Sequence, residues 1–186
     1  MILITGATGA VGGRTAEILA TRGEELRLLV RDPARAPRIP EAEVVRGEYA
    51  GPESLKRACR GVDVVLLVSG HAPEGDRAKL HKNVIDAAAE AGATHIAYLS
   101  FQGASPESKF PMGRDHAITE GYLQQSGVTY TAVRDNLYLD LAPFMFEDEG
   151  ELRGPGGSGK VGWVSREDVA QVAAAILANP PKDTGT

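Results

Sequence analysis

The stretch ILITGATGAVGG at residues 2–13 constrains the fold of this chain more than any other. A short apolar run, residues 2–5, leads into Gly6, Gly9 and Gly12. An amphipathic run follows, with Val11, Thr15, Ile18, Leu19 and Arg22 at helical spacing and Gly23 as its stop. Three glycines between a strand and a helix have a physical meaning. The first permits a tight turn, the second lets the backbone come close to a bound pyrophosphate, and the third lets the helix pack against the sheet. The helix start then offers N–H groups and a positive dipole end to the phosphates. The glycines follow a strand and open a helix, so dinucleotide binding is the reading and a purely structural turn the alternative.

The rest of the chain repeats the strand-then-helix pattern. Leu26–Val30 is a second strand, broken by Arg31-Asp32-Pro33 and a Pro-rich loop to Pro40. Glu43–Arg46 is a short third strand, and Leu55, Ala58 and Cys59 mark a short helix closed by Gly61. Residues 62–69 (VDVVLLVS) read as a central strand of a parallel sheet. Leu80, Val84, Ala87, Ala88 and Ala91 give a helix ending at Gly92. Residues 95–100 give strand five, residues 115–126 a helix, and residues 129–133 strand six. RGPGGSGK at 153–160 reads as a surface loop, and Ser165 as the N-cap of a last helix, with Asp168 three residues on. This order predicts an α/β fold, a doubly wound (Rossmann) parallel sheet with helices on both faces, in a single domain over residues 1–186. The last helix should feed another strand, so the C-terminal substrate-binding part is expected to be short or truncated at Thr186.

Composition excludes several classes. Acidic residues outnumber basic ones 25 to 20, for a net charge of -5, and the basic residues are scattered. That argues against a nucleic-acid partner. The single cysteine, Cys59, excludes an internal disulfide and a thiolate metal cluster. His71, His81, His95 and His116 lack metal-ligand spacing, so no metal is expected. No apolar run approaches a membrane span, and Met1 leads straight into a strand. A cytoplasmic protein without membrane attachment is the expectation.

The end of strand two selects the dinucleotide. Counting about 20 residues beyond the glycines reaches Arg31-Asp32, where NAD binders place an acid on the ribose 2′-hydroxyl. Arg31 directly after the strand suits a 2′-phosphate instead. Asp32 would serve NAD, yet Asp-Pro is also a common turn. The expectation is NADP, with NAD the lesser alternative and Arg35 and Arg38 as possible helpers.

GATGAVGG with VRDP after strand two resembles the atypical short-chain dehydrogenase/reductase superfamily, in its NmrA-like branch. RGEYAGPESLKRACRGVDVVLLVS, HKNVIDAAAEAGATHIAYLSF and DHAITEGYLQQSGVTYTAVRDNLYLD extend the resemblance over residues 1–180. The helix carrying His116 and Glu120 looks most like the NADPH:quinone oxidoreductase group. The resemblance implies that Gly6, Thr8, Gly9, Ala10 and Val11 surround the pyrophosphate and that Arg31 meets the 2′-phosphate. It places Glu48 and Tyr49 near the adenine, and Val68, Ser69 and Gly70 beneath the adenine-side ribose. Lys82 would reach the ribose or phosphates, or else be a solvated helix lysine. Ser100 would lie near the nicotinamide, and Asn136, Leu137 and Tyr138 would line the nicotinamide and substrate pocket. Phe101, directly after Ser100, is the best aromatic candidate for the substrate, and His71 a candidate for the pocket mouth. The long loop 101–114 would close over it.

One departure matters. Typical members of the superfamily use a Tyr-x-x-x-Lys pair as acid and base. Four residues beyond Tyr49, Tyr98, Tyr122, Tyr130 and Tyr138 stand Glu53, Gln102, Ser126, Arg134 and Ala142, none of them lysine. His116 and Glu120 share one helical face in its place. His116 would donate a proton near neutral pH, with Glu120 orienting it and raising its pKa; an ordinary polar helix face is the alternative. The missing pair argues against alcohol oxidation. It does not argue against reduction of a quinone, whose phenolate product is stabilised. The resemblance thus implies an NADP-dependent oxidoreductase acting on a small molecule, a quinone or similar electrophilic carbonyl, as a monomer or homodimer. A non-catalytic NAD(P)-binding redox sensor of the NmrA type is the second reading. A nucleotide-sugar epimerase or dehydratase is the third.

Overall fold

The apolar runs form a six-stranded parallel sheet, in the order β3-β2-β1-β4-β5-β6, in a computed structural model. The structure describes residues 1–73, 75–146, 150–151 and 157–185. β1 (Ile2–Ile4) and β4 (Val64–Leu67) lie at the centre and are buried along their whole length, so both read as unbroken apolar runs. β1 pairs with β2 (Leu26–Val30) on one side and β4 on the other, with Ile2 opposite Leu26 and Val64. β3 (Glu43–Arg46) extends the β2 side; β5 (His95–Phe101) and β6 (Thr129–Asp135) extend the β4 side. The strand order therefore reverses between β1 and β4. In open α/β sheets a ligand crevice forms outside the carboxyl ends at that point.

Helices cover both faces, as the sequence pattern predicts. α1 (Ala10–Thr21) and α5 (Arg166–Ala178) enclose a core that includes Leu19, Leu28, Leu66, Leu99 and Leu177. α2 (Pro52–Cys59), α3 (Arg77–Glu90) and α4 (Pro111–Gln125) enclose another, with Leu3, Leu55, Leu67, Tyr98 and Leu123. Cys59 lies in this second core, and burial pushes its thiol up to about 11, so it is an inert packing residue. Ser165 caps α5 by accepting from the Asp168 amide at 3.0 Å, as its position predicts.

Several boundaries differ from the sequence reading. Strand four is shorter than residues 62–69, because the Val68 amide donates to Thr5 Oγ1 (2.9 Å) and leaves the ladder. α4 begins at Pro111, a residue suited to the first helical position, so the expected loop 101–114 contracts to residues 102–110. β6 runs two residues past Val133. Beyond α5, Gly185 pairs in parallel with Thr131 on the free edge of β6, where a further strand was expected. Of the loop expected at 153–160, residues 153–156 lie outside the described residues; 157–160 are exposed.

The glycine turn is enforced by contact. Gly6 has φ +61°, and a Cβ there would sit 2.8 Å from Val68 Cβ. At Gly12 a Cβ would collide with the Gly6 carbonyl oxygen and lie 3.0 Å from that of Thr5. α1 thus rests on the backbone of its own entry turn. Gly12→Ala is expected to destabilise the fold by about 1–3 kcal/mol, the usual range for overpacking, read as a lower midpoint in urea unfolding.

Candidate functional site

α1 starts without a side-chain cap. Its N-cap is Gly9, and no acidic residue occupies its first turn, so its amides and positive dipole end face the crevice uncompensated. Beside it opens a cleft of about 410 Å³ bordered by Gly6, Thr8, Arg31, Tyr49, Ser69 and Gly70. Glu48, Val68 and His71 also border it. Residues from four separate turns, expected from the sequence to meet a dinucleotide, are thereby brought to one place. Ala10 and Val11 sit in the first turn of α1, with the Val11 side chain turned into the core.

The exit of β4 forms the floor of this cleft and is fastened from below. The Thr5 hydroxyl lies 2.8 Å from the Leu66 carbonyl and accepts from the Val68 amide. The Tyr49 hydroxyl, 2.6 Å from Thr5 Oγ1, donates at 2.7 Å to the Val68 carbonyl. Burial pushes the Tyr49 phenol well above its ordinary value, so it remains a proton-bearing structural donor. Ser69 Oγ donates to the Leu99 carbonyl at 2.7 Å.

At the β2 exit the two candidate selectors divide. The Asp32 carboxylate accepts from the Ala34 amide at 3.0 Å and caps a 3₁₀ turn, Pro33–Arg35. Arg31 is exposed and borders the cleft. Arg35 borders a neighbouring hollow of about 300 Å³ beside the glycine turn.

At the β5 exit the arrangement differs from the sequence reading. His116 and Glu120 do not pair. The Glu120 carboxylate accepts from Ser100 Oγ (2.5 Å) and from Arg134 at 3.0 and 2.6 Å, on the outer side of β5 and β6. Ser100 is buried and its hydroxyl is committed to that network. His116 is also buried, and its Nδ1 lies 2.8 Å from the Tyr98 hydroxyl. Burial first, and the Arg77 charge second, lower its pKa to about 3. His116 is therefore a neutral imidazole, not an imidazolium acid near pH 7. Its Nε2 has no protein partner among the described residues. Helical spacing showed which residues share a face, but not that Tyr98 from the adjacent strand and Arg134 from β6 would claim them.

Phe101 stacks on His116, with centroids 6.0 Å apart, and meets Phe110 at 5.4 Å. After β6, Asn136 Nδ2 donates to Gln102 Oε1 and its Oδ1 accepts from the Leu137 amide. The Tyr138 hydroxyl donates to Asp135 at 2.6 Å, and burial raises the Asp135 carboxyl to about 6. Of the two readings for Lys82, the solvated helix lysine agrees with its surroundings: it pairs with Asp86 at 2.6 Å, lies over the Tyr122 ring, and does not border the cleft. Among the described residues no group of three or more metal-ligating side chains exists, and no helix is long and apolar enough to cross a membrane.

The NAD(P)H-binding family matches residues 6–180. The chain belongs to this family. Quinone oxidoreductase 2 of Escherichia coli is 35% identical over 185 residues, covering 95% of this chain. NAD(P)H azoreductase of Xenophilus azovorans is 30% identical over 185 residues, covering 97% of this chain. The chain spans 64% of the length of each of these two curated relatives. Citrobacter triphenylmethane reductase, solved in complex with NADP(H), matches with a TM-score of 0.88 at 32% identity, over 100% of this chain and 68% of that one. The family's cofactor fits the residues present. Gly9 carries no side chain where the phosphates need room, the α1 amides lack a competing acid, and Arg31 stands at the mouth.

The buried histidines set the response to acid. The pKa of His81 is lowered to about 3, by burial and then by Arg77 and His116, and that of His95 is lowered by burial. With His116 they stay neutral in the fold, while an unfolded histidine titrates near ~6.5. For His81 and His116 the stability so gained is complete above that value and is lost as pH falls from it toward 3, and His95 acts in the same direction. Asp135, raised to about 6, takes up its proton in the folded state and offsets one of the three. Stability should fall by roughly 1–3 kcal/mol per pH unit around pH 5, measured by urea unfolding across pH 7 to 4.

Proposed function

We propose that this chain is an NADPH-dependent oxidoreductase that reduces quinones or similar electrophilic carbonyls, working on small molecules in the cytoplasm. The observation that carries the reading is the neutral imidazole of His116, held by Tyr98 of β5 in a chain without a Tyr-x-x-x-Lys base. Such a site lacks a strong base for alcohol oxidation. It suits an acceptor that, once reduced, needs only a hydrogen bond to its oxygen.

NADPH, when bound, supplies the hydride. Gly6 to Val11 would hold its pyrophosphate on the α1 amides, and Glu48, Tyr49 and the β4 exit would border the adenosine. Arg31 would bind the 2′-phosphate; it is available because the neighbouring Asp32 is locked into its own turn. If Tyr98 donates to Nδ1, the ring proton of the neutral His116 would sit on Nε2, facing away from Tyr98 as a donor. That donor would bond the oxygen that gains charge on reduction. Phe101, stacked on the same ring, would place a planar acceptor, with Asn136, Leu137 and Tyr138 on the β6 side. Ser100 and Glu120 keep α4 on the sheet instead of touching the reacting atoms. The likeness to quinone oxidoreductase 2 and to an azoreductase supports a flat, conjugated acceptor.

The test is NADPH oxidation with and without a soluble benzoquinone, with NADH in parallel. Quinone-dependent turnover faster with NADPH is expected. Arg31→Ala should raise the KM for NADPH roughly 10-fold or more while leaving that for NADH nearly unchanged, as loss of a charge-assisted bond implies. His116→Phe should lower kcat by about 3- to 10-fold at unchanged NADPH affinity, the effect of one neutral hydrogen bond. Tight NADPH binding without turnover would contradict the reductase reading and favour the sensor.

A further inference from the structure

His81 has no part in the site as described so far, yet it is fully buried and touches the floor of the cleft. Its Nε2 is 3.1 Å from the Gly70 amide, and its Nδ1 is 3.0 Å from Thr119 Oγ1. The proton positions follow from the partners. Thr119 donates its hydroxyl hydrogen to the Asp115 carbonyl at 2.9 Å, so its oxygen is left to accept. The proton between the two residues therefore sits on His81 Nδ1, and Nε2 is bare and accepts from Gly70. One direction of hydrogen bonding runs from Gly70 through His81 and Thr119 to the α4 backbone.

The sheet does not hold the residues that this chain of bonds reaches. The β4 ladder ends with Leu66 opposite Ile4 and Leu67 opposite Tyr98. Beyond it Val68 is held by Thr5 and Tyr49, and Ser69 by the Leu99 carbonyl. Gly70 has no side chain, and His81 Nε2 is the one acceptor of its amide among the described residues. The ring itself is fixed edge-on between Tyr98, at 5.6 Å, and Tyr49, at 6.2 Å. An apolar residue would pack between these rings as well as an imidazole. It would leave the Gly70 amide with no partner in the protein and the turn free to rotate.

We propose that His81 is a positioning residue of the nucleotide site: through its bare Nε2 it sets the backbone orientation at Gly70, and with it the surface on which the adenine-side ribose of NADPH rests. The proposal rests on the reading that this cleft holds NADPH. It assigns His81 no contact with the reacting atoms.

The test compares His81→Phe, which keeps the ring packing, with His81→Gln, whose Oε1 restores an acceptor near Nε2. Thr119→Val, which removes only the group that fixes the ring, is the milder third variant. NADPH affinity is measured by fluorescence titration of each full chain, and exchange of the Gly70 amide by nuclear magnetic resonance without ligand. His81→Phe should weaken NADPH binding roughly 5- to 10-fold, the effect of one lost hydrogen bond, and His81→Gln should return it to within about 2-fold of the unaltered chain. Gly70 exchange should be faster in His81→Phe and in Thr119→Val, and protected again in His81→Gln. A folded His81→Phe that binds NADPH as tightly as the unaltered chain overturns the proposal, as does a Gly70 amide that exchanges at the same rate in all variants. Lack of NADPH binding by the unaltered chain would count against the nucleotide site itself, and Gly70 exchange would then decide the role of His81 alone.

Discussion

The contact on which the rest of the structure depends is the seating of α1 on its own entry turn. Gly12 approaches the Gly6 carbonyl so closely that no side chain fits between them, and Gly6 is pressed against Val68 of the next strand exit. This single approach fixes the direction of α1 and points its uncapped amides at the crevice between β1 and β4. It also brings Thr5 within reach of both Leu66 and Val68. The Thr5 hydroxyl then ends the β4 ladder and starts the floor of the cleft. A nucleotide seat and a strand end are thus the same construction.

The face covered by α3 and α4 has a polar interior of an unusual kind. Tyr98, His116, His81 and Thr119 lie buried, and the contacts among them are satisfied without a net charge. Burial keeps both imidazoles neutral, and the cation of the nearby buried pair Arg77 and Asp115, 3.5 Å apart, acts in the same direction. Neutrality has opposite consequences at the two rings. At His81 it leaves a bare nitrogen that accepts from Gly70. At His116, in the proposed reading, it would leave an N–H for a substrate oxygen. An imidazolium at His81 could not accept from Gly70, since both of its nitrogens donate.

Much of this was legible in the sequence, and the reason lies in which signals are local. The strands, the helices and the glycine turn depend on residues close together in the chain, and they stand where periodicity and turn chemistry put them. The Arg31-Asp32 pair is also local: Asp32 caps the Asp-Pro turn, and Arg31 borders the cleft. What failed was pairing across elements. His116 and Glu120 share a helix face, but Tyr98 on β5 and Arg134 on β6 compete for them and win. Lys82, by contrast, pairs locally, with Asp86 one turn along the same helix. His81 carried a signal that was passed over. It recurs with Ala78, Ile85 and Ala88 on the buried face of α3, where a histidine must find partners for both nitrogens.

The central claim is that a nucleotide lies across the glycine turn and over the β4 exit, with its 2′-phosphate toward Arg31. A crystal structure of the full chain grown with NADPH tests this most directly. The account predicts the pyrophosphate against the amides that follow Gly9, the ribose over Ser69 and Gly70, and the 2′-phosphate within hydrogen-bond reach of the Arg31 guanidinium. A nucleotide seated elsewhere, or one with its 2′-phosphate turned away from Arg31, would contradict it.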